Sequence, residues 1–503
     1  MRLITATLAA CLLAGCGSHS TQPPQEAEGT QSQIENSMQQ LGVVPYPTDV
    51  STTGGQWTLP ASVQLLNSGG DTALLALQEL LSQLHITQDP TAAASIELSL
   101  INDDALGAEG YRLSIADGIS ISANTDTGLF YAVQTLRQML PASSEATYQL
   151  PTVEITDTPT YPWRGNMLDV ARSFLPVEYV KAHIDRMSLF KLNRLHLHLS
   201  DDQGWRVEIK KYPKLTEIGG ASAVEGGRSG FYSQAEIRDL VQYAAQRHVT
   251  LVPEIDLPGH TQAALAAYNE LACDDVTRLG TYSGKEVGFS KLCLTKPDVI
   301  YPWVEDVLSE IVDLFPSDYI HIGGDEIKDP LYPEFIARAA GIVADLGRTA
   351  IAWEEGSVAD NEPDVLLQLW NDKYDIQPAL ERGHKLILSP CSYTYYDHGN
   401  YQGQPNTYDW CRKEGVPLQR AYSMDTSKFG AAVGIESAMW SELVHTDATA
   451  DNRLWPRLAV TAELGWSQAS DKNYEQFTQR LSNLQAHLDA LNIHYYPEPD
   501  LGW

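Results

Sequence analysis

The sequence predicts an α/β fold in which a (β/α)8 TIM barrel follows a small α+β domain. Three observations favour this fold class. Eight short apolar runs alternate with helical stretches between residues 159 and 503. Polar and aromatic side chains follow those runs, as at the carboxyl-terminal mouth of a barrel. No glycine-rich nucleotide-binding fingerprint follows the first run, so we expect a barrel rather than an open doubly wound sheet.

Residues 1–15 predict a lipoprotein signal peptide. Arg2 precedes an apolar run that ends in LLAGC, which resembles the bacterial lipobox, in which Cys16 becomes the lipidated first residue. An ordinary signal peptide cut elsewhere is the alternative. Residues 16–42 are polar and almost free of aromatic side chains, which is typical of a flexible tether. We therefore expect an exported protein that is lipid-anchored at the bacterial cell envelope, at the outer membrane or on the periplasmic face.

The charge balance disfavours one class of partner. The chain holds 34 Lys and Arg residues against 65 Asp and Glu residues, which gives a net charge of -31. Phosphate groups are repelled by such a surface, so no nucleic acid is expected as a partner. An anionic membrane surface is disfavoured for the same reason, and the membrane is expected to be reached only through the lipid on Cys16.

Residues 43–158 predict the small α+β domain. Strands are expected at 95–101, 110–117 and 118–124, the last two joined by an Asp-Gly hairpin signal, and a helix at 127–139. Prolines at positions 159 and 162 mark a boundary, so the barrel is assigned to residues 159–503.

The barrel strands are predicted from apolar runs too short for helices. They fall at 165–170, 194–199, 250–255, 319–322, 349–353, 365–369, 385–388 and 434–439. Helices are expected between them, among others at 177–190, 234–246, 301–314 and 333–346.

The ends of these strands carry acids, an arginine and several tryptophans. Trp faces stack on the apolar faces of a pyranose ring while carboxylates and Arg bind its hydroxyls, so the rim predicts a carbohydrate site. Trp163, Trp455 and Trp466 lie away from strand ends and are expected to pack in the core.

The stretch HIGGDE places Asp325 and Glu326 side by side after an apolar strand. Glycoside hydrolysis usually needs two carboxyl groups on opposite sides of the scissile bond, which neighbouring residues cannot easily provide. They can divide the work if the substrate's own N-acetyl group is the nucleophile, because one acid then protonates the leaving oxygen while the other holds the acetamide.

Six motifs resemble β-N-acetylhexosaminidases of glycoside hydrolase family 20 from about residue 43 to residue 503. In chain order they are WRGNMLDVARSF (163–174), HLHLSDDQGWR (196–206), PEIDLPGH (253–260), HIGGDE (321–326), YTYYD (393–397) and MWSE (439–442). The resemblance implies a retaining, exo-acting enzyme that releases terminal N-acetyl-β-D-glucosamine from oligosaccharides, with N-acetylgalactosamine also open. It implies no cofactor.

The resemblance also implies roles for individual residues. Asp325 would orient the acetamide, Glu326 would act as general acid and then base, and Tyr395 would hold the acetamide carbonyl. The residues implied to contact the sugar are Arg164, Trp353, Trp370, Asp397, Trp440 and Glu442, and those implied to support the acid are Asp202, Asp256 and His260, with Asp201 as a further candidate. Met424 stands where many relatives have a tryptophan, so a sugar beyond the terminal one is expected to meet a softer apolar surface there.

Four cysteines, Cys273, Cys293, Cys391 and Cys411, remain besides Cys16 once a signal peptide is removed. An even number in an exported protein favours disulfides, and the short loops favour Cys273 with Cys293 and Cys391 with Cys411, with buried free thiols as the alternative.

His196 and His198 alternate along one strand and with a carboxylate could bind zinc, but nothing else in the sequence completes a set, so no metal is expected.

Two other functions remain open. One is a surface-tethered sugar-binding lipoprotein that has lost catalysis. The other is a retaining hydrolase that acts by covalent double displacement on sugars without N-acetyl groups.

Overall fold

The computed structural model describes residues 41–274, 280–359 and 364–503. The predicted signal peptide, the lipidated Cys16 and all but the last two residues of the predicted tether lie outside the described residues. Within the described ranges, none of the helices combines the length and the apolar character needed to cross a membrane.

The N-terminal domain is a seven-stranded mixed sheet with two helices. Its strands are β1 (Asp49–Leu59), β2 (Ser62–Asn67), β3 (Thr87–Gln88), β4 (Ser95–Leu100), β5 (Tyr111–Ile115), β6 (Ile119–Ala123) and β7 (Tyr148–Asp157), and its helices are α1 (Asp71–Gln83) and α2 (Asp126–Met139). The strand order is β1-β7-β5-β6-β4-β2-β3, with β5 antiparallel to both β6 and β7. Alternate residues of β5 and β6 are buried, as expected for a sheet that packs one face on its helices.

The second domain is a closed barrel of eight parallel strands, which confirms the predicted fold class. The strands are β8 (Trp163–Asp169), β9 (Arg194–His198), β10 (Thr250–Glu254), β11 (Tyr319–His321), β12 (Thr349–Trp353), β13 (Leu366–Leu369), β14 (Leu386–Leu388) and β15 (Ala432–Met439). Strand β15 closes the ring by pairing with β8, with Gly434 opposite Trp163. All eight strands therefore end at one mouth.

Helices surround the barrel and follow its strands. They are α3 (Val177–Leu189), α4 (Lys214–Ile218), α5 (Gln234–Ala245), α6 (Gln262–Ala267), α7 (Pro297–Leu314), α8 (Tyr332–Asp345), α9 (Gln377–Glu381), α10 (Cys391–Thr394), α11 (Leu418–Tyr422), α12 (Asp447–Leu454), α13 (Leu458–Trp466), α14 (Tyr474–Ser482) and α15 (Gln485–Ala490). Helix α7 starts four residues before the predicted position 301, because Pro297 suits the first turn of a helix.

A buried polar contact joins the two domains beneath the barrel. The Lys191 ammonium lies 3.1 Å from Asp157 Oδ2 at the end of β7, and the Trp466 indole N–H donates to Asp157 Oδ1 at 2.8 Å. Trp466 also packs in the hydrophobic core of the N-terminal domain. The small domain is therefore bonded to the end of the barrel opposite its mouth.

Candidate active site

A pocket of about 250 Å³, which we call the mouth pocket, lies where the carboxyl ends of the barrel strands meet. Its wall is made of charged and aromatic side chains: Arg172, His260, Lys285, Val287, Asp325, Glu326, Trp370, Tyr395, Asp397, Tyr408, Trp410, Trp440 and Glu442. A cavity of about 330 Å³ lies between the N-terminal domain and the barrel. The predicted acid pair faces the mouth pocket, so the candidate site is built there.

The adjacent acids Asp325 and Glu326 follow β11 on a turn of left-handed backbone. Gly323 and Gly324 have φ of 68° and 102°, and Glu326 itself has φ of 59°. A Cβ at Gly323 would lie 1.8 Å from Asp256 Oδ1, and the Gly324 N–H donates to that oxygen at 3.2 Å. The glycines therefore let the chain pass over Asp256, so that both acids turn toward the pocket.

The two acids differ in their surroundings. The Asp325 side chain is 13% exposed and the Glu326 side chain is 34% exposed. Burial raises the pKa of Asp325, His260 opposes that rise, and Glu326 adds to it. Burial and then the neighbouring Asp325 raise the pKa of Asp256 well above its usual range. Three carboxyl groups are thus crowded around one cation.

That cation is His260, whose Nε2 lies 3.5 Å from Glu326 Oε2 and 3.8 Å from Asp325 Oδ2. Its Nδ1 lies 3.2 Å from Asp201 Oδ1. Burial alone would lower the pKa of His260, but Asp201 and Asp325 raise it well above its ordinary value. With φ of 53°, His260 shares the left-handed conformation of Glu326, and such backbone strain clusters at functional sites.

Asp201, rather than the predicted Asp202, makes the closer contacts to this group. Besides His260, Asp201 binds Arg172, whose Nη2 lies 2.7 Å from Asp201 Oδ2. Asp202 Oδ1 accepts the Gln262 N–H at 3.0 Å, and its other oxygen stays 3.9 Å from His260 Nδ1. Asp202 therefore holds the start of α6 and lies farther from His260 than Asp201 does, and its predicted role in supporting the acid stays a prediction.

Three of the four predicted aromatic residues, Trp370, Tyr395 and Trp440, line the mouth pocket. The fourth, Trp353, is only 1% exposed. Its Nε1 donates to Glu254 Oε1 at 2.9 Å, and its ring centroid lies 6.0 Å from that of Trp440. Trp353 therefore packs behind Trp440, and its predicted contact with the acetamide or the sugar stays a prediction.

The polar end of the pocket is formed by Arg172, Asp397 and Glu442. Arg172 Nε, Asp397 Oδ1 and Glu442 Oε2 are buried and have no hydrogen-bond partner among the described residues. Burial raises the pKa of Glu442 to about 7 although Arg172 opposes the rise. Buried polar groups usually have partners, so these three atoms indicate a place where a polar ligand binds.

Arg164 lies at the opposite end of the barrel, and the prediction that it binds sugar hydroxyls is wrong. It is the second residue of β8 and fully buried, and its Nη1 and Nη2 donate to the Glu109 carboxylate at 3.0 and 2.9 Å. Its guanidinium carbon lies 4.9 Å from the Trp466 ring centroid. Strand β8 begins at Trp163, so Arg164 faces the N-terminal domain, and Arg172 is the arginine of the same motif that reaches the mouth.

Besides Arg172, four residues of the wall were not assigned to the site from the sequence: Lys285, Val287, Tyr408 and Trp410. Trp410 is 53% exposed, and its ring centroid lies 5.8 Å from that of Trp370 and 6.0 Å from that of Tyr395. These residues lie on loops rather than at strand ends. The signal in the sequence that could have pointed to Trp410 is its position directly before Cys411, a cysteine of a predicted disulfide.

Both predicted disulfides are formed, Cys273 with Cys293 and Cys391 with Cys411. The second ties the loop that carries Trp410 to α10. Met424 is 1% exposed and packs in the barrel's hydrophobic core, so it does not lie at the pocket surface, where it was expected. The aromatic surface at the rim comes from Trp410 instead.

His196 and His198, considered above as zinc ligands, lie inside the barrel and face carboxylates. His198 Nδ1 is 2.5 Å from Glu254 Oε2 and its Nε2 is 2.8 Å from Asp201 Oδ2. His196 Nδ1 is 2.8 Å from Glu436 Oε1. Both imidazoles therefore belong to a buried array of ion pairs.

Two family descriptions match the chain, one for each domain. "Glycosyl hydrolase family 20, catalytic domain" matches residues 161–333 and 328–469, and "Glycosyl hydrolase family 20, domain 2" matches residues 40–158.

Individual proteins match over nearly the whole chain. A beta-N-acetylhexosaminidase of Cellulomonas fimi is 32% identical, with 93% of this chain and 98% of that protein aligned. A beta-hexosaminidase of Porphyromonas gingivalis is 34% identical over 93% of this chain, which spans 66% of that protein's length.

Solved structures show the same likeness. The GH20 beta-N-acetylhexosaminidase of Streptomyces coelicolor A3(2) is 37% identical with a TM-score of 0.86, covering 92% of this chain and 98% of that one. A mutant beta-hexosaminidase of Streptomyces plicatus in complex with product (GlcNAc) is also 37% identical with a TM-score of 0.86, covering 92% and 97%.

Proposed function

The chain belongs to glycosyl hydrolase family 20, and from that premise we propose that it is an exo-acting β-N-acetylhexosaminidase. Its substrates are oligosaccharides with a terminal, non-reducing N-acetyl-β-D-glucosamine, and N-acetylgalactosamine is a second candidate for that position. The observation that carries the proposal is the acid pair Asp325 and Glu326 facing, with Tyr395, a single pocket of about 250 Å³. A product complex of a Streptomyces plicatus relative with GlcNAc supports the choice of sugar.

The reaction is proposed to use the substrate's acetamide as nucleophile. The acetamide carbonyl oxygen attacks C1 while Glu326 donates a proton to the leaving oxygen, so the C1–O bond breaks and an oxazolinium ion forms. Glu326 then accepts a proton from the water that attacks C1 and reopens the ring. Two displacements at C1 retain the anomeric configuration, and this substrate-assisted route is an established exception to the two-carboxylate scheme.

Asp325 and Tyr395 hold the acetamide from its two polar ends. Asp325 as a carboxylate accepts the acetamide N–H and stabilises the positive charge that develops on the ring. Burial and then the nearby Glu354 carboxylate raise the pKa of Tyr395 well above its usual value, so the phenol keeps its proton and can donate to the carbonyl oxygen. Trp370 and Trp440 enclose the acetamide methyl group and the sugar face between them.

The polar end of the pocket recognises the far side of the terminal sugar. Asp397 and Glu442 accept hydrogen bonds from sugar hydroxyls and Arg172 donates to them, which satisfies the unpaired atoms of these three residues. An end closed by buried charged groups leaves no room for a further sugar, which agrees with exo action.

The covalent alternative needs a second carboxylate across the scissile bond. Asp325 and Glu326 are adjacent on one turn, and both carboxyl groups lie within 3.8 Å of His260 Nε2, so they are poorly placed to flank a bond from opposite sides. That arrangement favours the acetamide as nucleophile.

The proposal is tested by hydrolysis of p-nitrophenyl N-acetyl-β-glucosaminide. Glu326→Gln and Asp325→Asn should each lower kcat by about 100-fold or more, while Glu334→Gln, an exposed acid on α8, should leave it unchanged. A thiazoline that mimics the oxazolinium ion should inhibit competitively. An inactive wild-type protein that still binds N-acetylglucosamine would instead support the sugar-binding alternative, and hydrolysis of plain glucosides at equal rate would support covalent displacement.

We also propose that the protein is exported and anchored to the cell envelope through a lipid on Cys16. The LLAGC segment supports this. Mass spectrometry of the mature amino terminus tests it: a diacylglyceryl cysteine is expected, and an unmodified amino terminus elsewhere would contradict the proposal.

A further inference from the structure

The barrel interior contains a buried array of charged side chains that the reaction described above does not use. Its members come from strands β9, β10, β11 and β15 and are at most 1% exposed: His196, His198, Glu254, His321 and Glu436. Layers of branched apolar side chains usually fill such a barrel. Charged groups cost several kcal/mol each to bury unless they are paired.

Glu254 is the centre of this array. Its Oε2 lies 2.5 Å from His198 Nδ1 and 3.0 Å from His196 Nε2. Its Oε1 accepts the Trp353 N–H at 2.9 Å and lies 3.1 Å from His321 Nδ1. Four ring nitrogens thus lie within 3.1 Å of this carboxylate, two near each oxygen, and those of His198 and Trp353 are hydrogen-bonded to it.

The Oε2 side of Glu254 leads to the catalytic acid. His198 bridges to Asp201 through its Nε2, which lies 2.8 Å from Asp201 Oδ2. Asp201 Oδ1 is 3.2 Å from His260 Nδ1, and His260 Nε2 is 3.5 Å from Glu326 Oε2. Carboxyl and imidazole groups alternate along this path, so displacing one member takes away the contact that holds the next.

The Oε1 side of Glu254 leads to the pocket wall. It fixes the indole of Trp353, whose ring centroid lies 6.0 Å from that of Trp440. Glu254 therefore holds both Trp353, which packs behind the pocket wall, and His198, which leads through Asp201 and His260 to the general acid.

The array also acts on Asp325 through its charge. Glu254 raises the pKa of Asp325 and His198 lowers it, each less than burial does. Other titratable groups that face Asp325 are Asp256, His260, Glu326, Tyr332, Glu355 and Tyr395.

We propose that Glu254 and His198 are positioning residues for the hydrolysis, which hold Asp201 and Trp353 in place and whose charges act on Asp325. This inference rests on the proposed function. It assigns to two fully buried residues an effect on turnover that packing alone would not produce.

The test compares pH profiles of kcat/KM for two variants that act in opposite directions. Glu254→Gln removes a negative charge that raises the pKa of Asp325, so the acidic limb should move to lower pH. His198→Gln removes a positive charge that lowers it, so the acidic limb should move to higher pH, each by up to about one pH unit. In both, kcat should fall by about tenfold or more because the hydrogen bonds that orient the acid are disturbed.

Glu436→Gln is the matched control. Glu436 is equally buried and bonds His196 at 2.8 Å, Trp163 at 2.8 Å and Gln368 at 2.9 Å, but it binds neither His198 nor Trp353. It should lower the thermal midpoint in the same way as Glu254→Gln while leaving the acidic limb in place.

Several outcomes would overturn the inference. They are limbs that do not move, limbs that move in the same direction in both variants, or loss of folded protein in all three variants, which would show that the array only holds the barrel together. The activity of the wild type distinguishes failure of this inference from failure of the proposed function. An inactive wild type refutes the proposed function, whereas an active wild type and variants whose acidic limbs do not move refute only the role of the array.

Discussion

Replacing Gly323 with alanine should abolish most of the activity without touching a catalytic group. The new Cβ would lie 1.8 Å from Asp256 Oδ1, so turn and carboxylate must separate by more than about 1 Å to reach an ordinary contact. Asp325 and Glu326 follow on the same turn and must move with it. A misplacement of about 1 Å can cost about 100-fold in rate, so kcat/KM should fall by about that factor.

A matched glycine separates the clash from the backbone strain. Gly347 has a similar φ of 76°, against 68° for Gly323, and a Cβ there meets nothing within 4 Å. Gly347→Ala should therefore cost only the left-handed penalty of about 1–2 kcal/mol and keep full activity. Hydrolysis of p-nitrophenyl N-acetyl-β-glucosaminide and urea unfolding measure both effects. A Gly323→Ala enzyme with wild-type kcat/KM would refute the role assigned to this turn.

Three further predictions concern the corrected and newly found residues. Arg164→Met should lower the free energy of unfolding by about 3 kcal/mol by breaking a buried ion pair while leaving KM unchanged, whereas Arg172→Met should raise KM in the same assay. Cys391→Ser with Cys411→Ser should raise KM more than it lowers kcat, because the disulfide holds the loop that carries the exposed tryptophan of the wall. Burial raises the pKa of Glu442 from 4.5 to about 7, so its ionisation opposes folding. Stability should therefore fall by up to about 3 kcal/mol as the pH rises through this window, and Glu442→Gln should flatten that slope in urea titrations.

Each of these has a contrary result. Equal rises in KM for the two arginine variants would show that Arg164 contributes to sugar binding after all. An unchanged KM in the cysteine double variant would show that the loop carrying Trp410 does not contribute to substrate binding. A slope unaltered by Glu442→Gln would mean that other buried acids dominate the pH dependence.

The strands of the barrel were predictable because parallel strands buried on both faces read as apolar runs of restricted length. Their ends then located Asp325, Glu326, Tyr395 and Glu442 at one mouth. Arg164 was assigned to the sugar by the family resemblance and not by a strand end, and because every residue of β8 is buried, alternation could not show that this arginine faces the other domain. Loop residues such as Trp410 have no strand end to mark them.

The choice between Asp201 and Asp202 was beyond the sequence for a different reason. Two adjacent acids on one loop look alike until the positions of their partners are known. Only the placement of Arg172 and His260 shows which of the two is close to them.

The contact of Arg164 with Glu109 has a consequence for how the molecule unfolds. If the small domain detached, the Arg164 guanidinium in the barrel would lose its Glu109 partner, and Lys191 would lose Asp157 as well. Neither domain can then unfold without leaving unpaired charges in the other, so the two should denature in one cooperative transition. A barrel exchanged between relatives would have to bring its own small domain with it.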